Sequence, residues 1–184
     1  MINIHYITPY YEGDIGKGIN EAISLLPDDS WVVLRDADTM FLTPKQQKQI
    51  KDIVESNPEF DLIGCRTNRL RSPHQAIYEH FHEDSILKHI QVAKEQEKWY
   101  YGEITELPEP EVVAGMFMLF RKSVWNKIKF QEKTIQFDMI FSDKVREQGG
   151  KLGICQGIYL LHLYRYESDN PFNEIDHIIK CHKF

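Results

Sequence analysis

Apolar residues in this chain fall into short runs between polar turns, and the period of each run predicts its element. Residues 2–7 alternate and are rich in β-formers, which predicts a strand ended by Thr8-Pro9. Residues 15–26 predict a short helix, stopped by Pro27 and the acidic turn Asp28-Asp29-Ser30. Residues 31–34 are a second apolar strand that runs straight into Arg35-Asp36-Ala37-Asp38. Thr43-Pro44 joins a capping hydroxyl to a proline at the first helical position, so a helix starts there and runs to about Ser56. Further along, the pattern predicts a strand at 61–65, a polar segment at 66–72 and a His-rich helix at 73–98. A loop carrying Pro108 and Pro110 leads to a buried strand at 112–120 and a short helix at 123–128. A helix at 135–148 closes on Gly149-Gly150; strands at 151–155 and 158–164 and a helical tail from Asn173 complete the chain. Strands alternating with helices predict an α/β fold whose central sheet is mostly parallel and flanked by helices.

At 184 residues the chain suits a single domain spanning residues 1–184, large enough to bury a core without a staple. The formal charge of −6 argues against nucleic acid and anionic membrane as partners, since both require clustered cations. The start Met1-Ile2-Asn3-Ile4 lacks the basic and apolar regions of a signal peptide. Gly115 interrupts the longest apolar run, which is too short to span a bilayer. The expectation is a soluble cytoplasmic protein with no transmembrane segment. Cys65, Cys155 and Cys181 are widely spaced and contain no CxxC pair, which predicts reduced thiols rather than a zinc site.

The candidate chemistry begins where the second strand ends. An apolar strand there delivers Asp36 and Asp38, two residues apart, so strand alternation directs both to one side. Ligands of open α/β sheets bind at the carboxyl ends of strands. Two carboxylates at such a position form a hard-oxygen site for Mg²⁺ or Mn²⁺ and, through it, a diphosphate. The competing reading is an acidic turn or a helix cap.

From these residues onward the chain resembles a GT-A fold glycosyltransferase, closest to the family 2 type. Gly18-Ile19-Asn20-Glu21-Ala22-Ile23 followed by the strand and Asp36-Ala37-Asp38 is similar to the family's segment leading into its DxD motif. Val113-Ala114-Gly115-Met116-Phe117 resembles the strand whose backbone passes the donor sugar. Phe137-Asp138 stands where the family has a Glu-Asp pair, and His162 matches a late histidine. The resemblance spans about Gly18 to His162, with a shorter region before the DxD than is usual. It implies a Rossmann-like GT-A domain, with 66–111 as an acceptor-side helix and loop insertion. It also implies a nucleotide-sugar donor, UDP-sugar first, and an acceptor glycan or other hydroxyl compound.

The same resemblance assigns roles residue by residue. Asp36 and Asp38 would hold Mn²⁺ or Mg²⁺, with His162 a further ligand or a donor to the diphosphate. Asn20, Asp36 and Gly115 would contact the donor, and Thr8, Pro9 and Tyr10 its base. Asp138 would act as the general base of an inverting transfer; a helix-capping aspartate is the competing reading. Arg66, Asn68, Arg69 and Arg71 suit either phosphate contacts or a solvated loop. His74, His80, His82 and His89 read as a partly buried helix rather than a second metal site, and residues 99–101 as a sugar-stacking lid or a small core. A nucleotide-sugar-binding module without turnover and a metal-dependent nucleotidyltransferase are the alternatives.

Overall fold

The computed structural model of the chain describes residues 2–56 and 58–163, so the expected tail helix, the strand end at Tyr164 and Cys181 lie outside the described residues. The strands are β1 (Ile4–Ile7), β2 (Trp31–Arg35), β3 (Thr39–Met40), β4 (Leu62–Thr67), β5 (Ile104–Glu106), β6 (Phe117–Arg121) and β7 (Leu152–His162). The helices are α1 (Ile15–Ser24), α2 (Pro44–Glu55), α3 (Ile86–Tyr100), α4 (Lys122–Lys127) and α5 (Phe137–Glu147).

Alternation on the central strands explains the layers. In β2, Val32 and Leu34 enter one apolar cluster while Trp31 and Val33 enter another. In β6, Met118 and Phe120 join the first cluster, Phe117 and Leu119 the second. The first face is covered by Ile19 and Ile23 of α1, Trp125 of α4 and Phe141 of α5. The second is covered by Ile50, Ile53 and Val54 of α2. Burial on both faces makes these strands continuous apolar runs.

The α/β class is as expected, but the sheet is mixed rather than mostly parallel. Its strands run in the order β1-β2-β6-β4-β7-β3, with β5 also paired to β7. Among the described strands, β1–β2 and β4–β7 are the parallel pairs. β6 slots between β2 and β4 antiparallel to both, and β3 and β5 pair antiparallel with β7. Strand direction depends on how the chain returns, which local periodicity does not encode.

Two other expectations change. The strands foreseen at 151–155 and 158–164 are one long β7, whose register with β4 shifts between Cys65 and Arg66. Buried glutamines of α2 serve the backbone at this irregularity: Gln49 Nε2 donates to Gly157 O at 3.1 Å and Gln46 Nε2 donates to Tyr159 O. The helix foreseen at 73–98 begins only at Ile86, capped by Ser85, whose hydroxyl accepts from Lys88 N. Before it, Ile77 N donates to Thr67 O and Thr67 N donates to Gln75 O, so that segment is tied to the end of β4 instead. The helix start foreseen at Thr43-Pro44 is present, and the structure adds a capping box with Gln46 as its third helical residue. Cys65 and Cys155 are buried free thiols. No described helix is long and apolar enough to cross a membrane.

Candidate metal centre and its cleft

Beyond β2 the chain turns sharply, and that turn builds the site. Asp36 N donates to Met116 O at 3.1 Å, anchoring the turn to β6. Thr39 closes it by donating to Asp36 O from both its backbone N (3.3 Å) and its hydroxyl (2.8 Å). Arg35 reaches across to donate to Thr39 O at 2.8 Å, so it braces the turn rather than pairing with a carboxylate of the motif. The two-residue strand β3 then registers Thr39 opposite His162, and Leu163 N donates to Asp38 O at 2.9 Å. A short antiparallel pairing thereby carries the end of β7 to the aspartates.

The outcome is a group of three potential ligands. One atom each from Asp36, Asp38 and His162 lie within 4.8 Å of one another. Among the described residues no other cluster of three acidic, histidine or cysteine side chains meets that condition, so His74, His80, His82 and His89 form no second one. His162 is buried, with Nε2 3.5 Å from Asp38 Oδ1. Its Nδ1 lies 2.8 Å from the backbone oxygen of Arg69. A carbonyl only accepts, so Nδ1 carries the proton and Nε2 is the atom turned toward Asp38. Asn68 Oδ1 accepts from His162 N at 2.8 Å.

Residues 68 and 69 therefore have a role the sequence did not disclose. Arg69 is buried, donating from Nε to Phe81 O at 2.8 Å and pairing with Asp84 at 2.9 Å. Arg66 donates to His74 O at 2.7 Å. These side chains hold the loop that orients the imidazole. Fixing the second ring nitrogen is how proteins orient a ligating histidine.

Charge at the site is uneven. Burial pushes the Asp36 carboxyl up to about 6; His162 opposes the rise, while Asp38 and Asp138 add to it. The neighbouring His162 side chain holds the more exposed Asp38 below the usual carboxylate range. Two carboxylates and one imidazole form a mixed oxygen and nitrogen donor set able to hold a divalent metal ion.

A cleft of about 350 Å³ opens beside the aspartates, lined among others by Thr8, Pro9, Tyr10, Asp36, Asp38, Gly115 and Phe137. The end of β1, both aspartates and the glycine before β6 thus share one wall system. Gly115 has a steric reason to be glycine: an added Cβ would lie 2.6 Å from the Phe137 ring.

Asp138 sits at the first turn of α5 behind that glycine. Its Oδ2 accepts from Gly115 N and its Oδ1 from Met139 N, both at 2.8 Å. Burial raises its pKa, and these two N–H groups oppose the rise. Asp143 lies elsewhere, in a surface groove with Glu109, Pro110 and Arg146.

Asn20 is not among the residues that line the cleft. Its Oδ1 accepts from Trp125 Nε1 at 3.0 Å and Phe130 N at 3.1 Å, and its Nδ2 donates to Phe130 O at 3.0 Å. The amide is spent joining α1 to the segment after α4. Residues 99–101 are not a core: Trp99, Tyr100 and Tyr101 are all exposed. Neither a protein-family model nor a curated protein matches this chain.

Proposed function

We propose that this chain is a metal-dependent glycosyltransferase that moves a sugar from a nucleotide-sugar, UDP-sugar first, to an acceptor hydroxyl with inversion. One observation carries the reading: the Asp36-Asp38-His162 ligand group borders the cleft that the end of β1 and Gly115 also line. Asp36, Asp38 and His162 would hold Mn²⁺ or Mg²⁺, with the Arg69 carbonyl keeping the imidazole in its ligating tautomer. When bound, the ion supplies charge neutralisation for the departing diphosphate. Thr8, Pro9 and Tyr10 flank the space for the nucleoside.

In the transfer, the acceptor oxygen bonds to the anomeric carbon as the bond to the diphosphate breaks. Asp138 takes the acceptor proton; each of its oxygens accepts one N–H and keeps a second lone pair. Its raised pKa, set by burial, makes it a better proton acceptor than a solvated aspartate.

One observation favours a second reading. Both Asp138 oxygens already tie Gly115 and Met139 together, which suits an anchor in a nucleotide-sugar-binding module without turnover. A single experiment separates the readings. The protein is heated with Mn²⁺ and a panel of UDP-, GDP- and other nucleotide-sugars, and free nucleoside diphosphate is assayed alongside. A ligand at a hundredfold its Kd adds about 2.7 kcal/mol of stability. Metal-dependent stabilisation with diphosphate release is the expected result. Stabilisation without release supports the module. Pyrophosphate release from a nucleoside triphosphate, or no metal-dependent stabilisation by any of them, overturns the transferase.

A further inference from the structure

A second, larger cleft of about 680 Å³ lies between α2 and α3, lined by Thr43, Pro44, Lys45, Lys48, Lys94, Glu97, Lys98 and Tyr101. Four of these eight residues are lysines, in a chain whose formal charge is −6. Helical spacing explains the convergence. Lys94, Glu97 and Lys98 lie on one face of α3 with Tyr101 just past its end, and Lys45 and Lys48 share a face of α2.

The cleft is held in shape by its own contacts. Buried Glu97 accepts a hydrogen bond from the Thr43 hydroxyl, joining α3 to the start of α2 at the floor. Tyr101 OH donates to Asp52 at 2.6 Å, and Lys48 Nζ lies 2.6 Å from the same carboxylate oxygen. Asp52 thus neutralises Lys48. Among the described residues, Lys45, Lys94 and Lys98 form no ion pair, and Glu97 acts on Lys45 and Lys94 only through the longer-range field of its carboxylate.

Two features of this arrangement run against local stability, although Lys98, in the last turn of α3, is favoured by the helix dipole. Lys45 lies in the first turn of α2, which holds no acidic residue, where the helix dipole disfavours a cation. Lys94 and Lys98 are like charges at i and i+4, a pairing that destabilises a helix. An anionic occupant reverses both penalties. The volume falls in the range for small-molecule sites, and the concave shape suits a discrete ligand. Lysine ammonium groups act as point charges toward phosphate.

We propose that this cleft binds a multiply charged, phosphate-bearing small molecule through Lys45, Lys94 and Lys98. The site is separate from the Asp36-Asp38-His162 centre and does not depend on the activity proposed above.

The test is calorimetric titration of the full chain with inorganic pyrophosphate, in chelator and at low ionic strength. One saturable site is expected. Lys45→Gln/Lys94→Gln should weaken it by about tenfold or more, since two charge-assisted contacts are removed. Lys98→Gln alone should weaken it less. Lys127→Gln/Lys151→Gln makes the same charge change at exposed positions outside the cleft and should leave it within about twofold. Asp38→Ala should leave it unchanged, which distinguishes this cleft from the metal centre. Citrate, with its charge on carboxylates, should bind more weakly than pyrophosphate. Thermal unfolding of each variant confirms that it is folded. No saturable binding, equal loss in the Lys127/Lys151 control, retention in both the double variant and Lys98→Gln, loss in Asp38→Ala, or tighter binding of citrate would each overturn the proposal.

Discussion

The Nδ1 atom of His162 lies 2.8 Å from the backbone oxygen of Arg69, and that contact fixes which ring nitrogen faces Asp38. Asn68 holds the same histidine from its backbone side, accepting from His162 N at 2.8 Å. The loop after β4 therefore orients a ligand carried by β7. Asn68→Ala is expected to weaken Mn²⁺ binding by about 10–100-fold while the fold persists, the usual effect of removing an orienting partner. Mn²⁺ titration by electron paramagnetic resonance reads this directly. Unchanged affinity in a folded variant would remove Asn68 from the positioning scheme.

Asp36 gives a stability prediction with a definite sign. Its folded pKa of about 6 exceeds the ordinary 3.8, so between these values the folded chain holds a proton that the unfolded chain releases. The stability from this group is complete below about pH 4 and is lost as pH rises through about 6. Asp36→Asn removes that loss. The metal-free variant should match the parent at about pH 4 and be more stable at about pH 7.5, by at most about 3 kcal/mol. Its Mn²⁺ binding should fall at the same time. Chemical denaturation in chelator at both pH values is the measurement; a variant less stable than the parent at the higher pH contradicts the prediction.

Asn20 should prove structural. Asn20→Ala leaves Trp125 Nε1 and Phe130 N without their acceptor, at a cost of about 2–4 kcal/mol. Urea unfolding should show that loss, while metal-dependent nucleotide affinity stays within about twofold of the parent once the protein is folded. A selective loss of nucleotide binding would instead return Asn20 to the donor site.

For Asp138, the conservative variant is informative because both oxygens are engaged. In Asp138→Asn one acceptor becomes an NH₂ group set against Gly115 N or Met139 N, costing about 1–3 kcal/mol of stability. If it is the base, turnover falls by roughly 10²–10⁴-fold with donor affinity kept. Parallel decline of affinity and turnover would identify an anchor instead. Steady-state rates and donor titration on one preparation decide between them.

Local chemistry alone was enough to place β2, the Asp36-Asp38 pair at its end and the capped start of α2. These rest on near-neighbour effects: an apolar run, a turn, and a hydroxyl beside a proline at a helix start. His162 came into consideration only through the family resemblance, as a match to a late histidine. Tertiary structure decided the rest. The direction of β6, wedged antiparallel between β2 and β4, depends on pairing partners remote in sequence, because period two is the same either way. The late start of α3 depends on the segment before it bonding to the end of β4 rather than to itself. The Asn20 amide is engaged by Trp125 and Phe130, more than a hundred residues away. Arg69 orients His162 through a backbone carbonyl, a group every residue carries and no motif can mark. The lysines of α2 and α3 became one cleft only when the two helices packed side by side, since charge convergence between elements is a property of the fold alone.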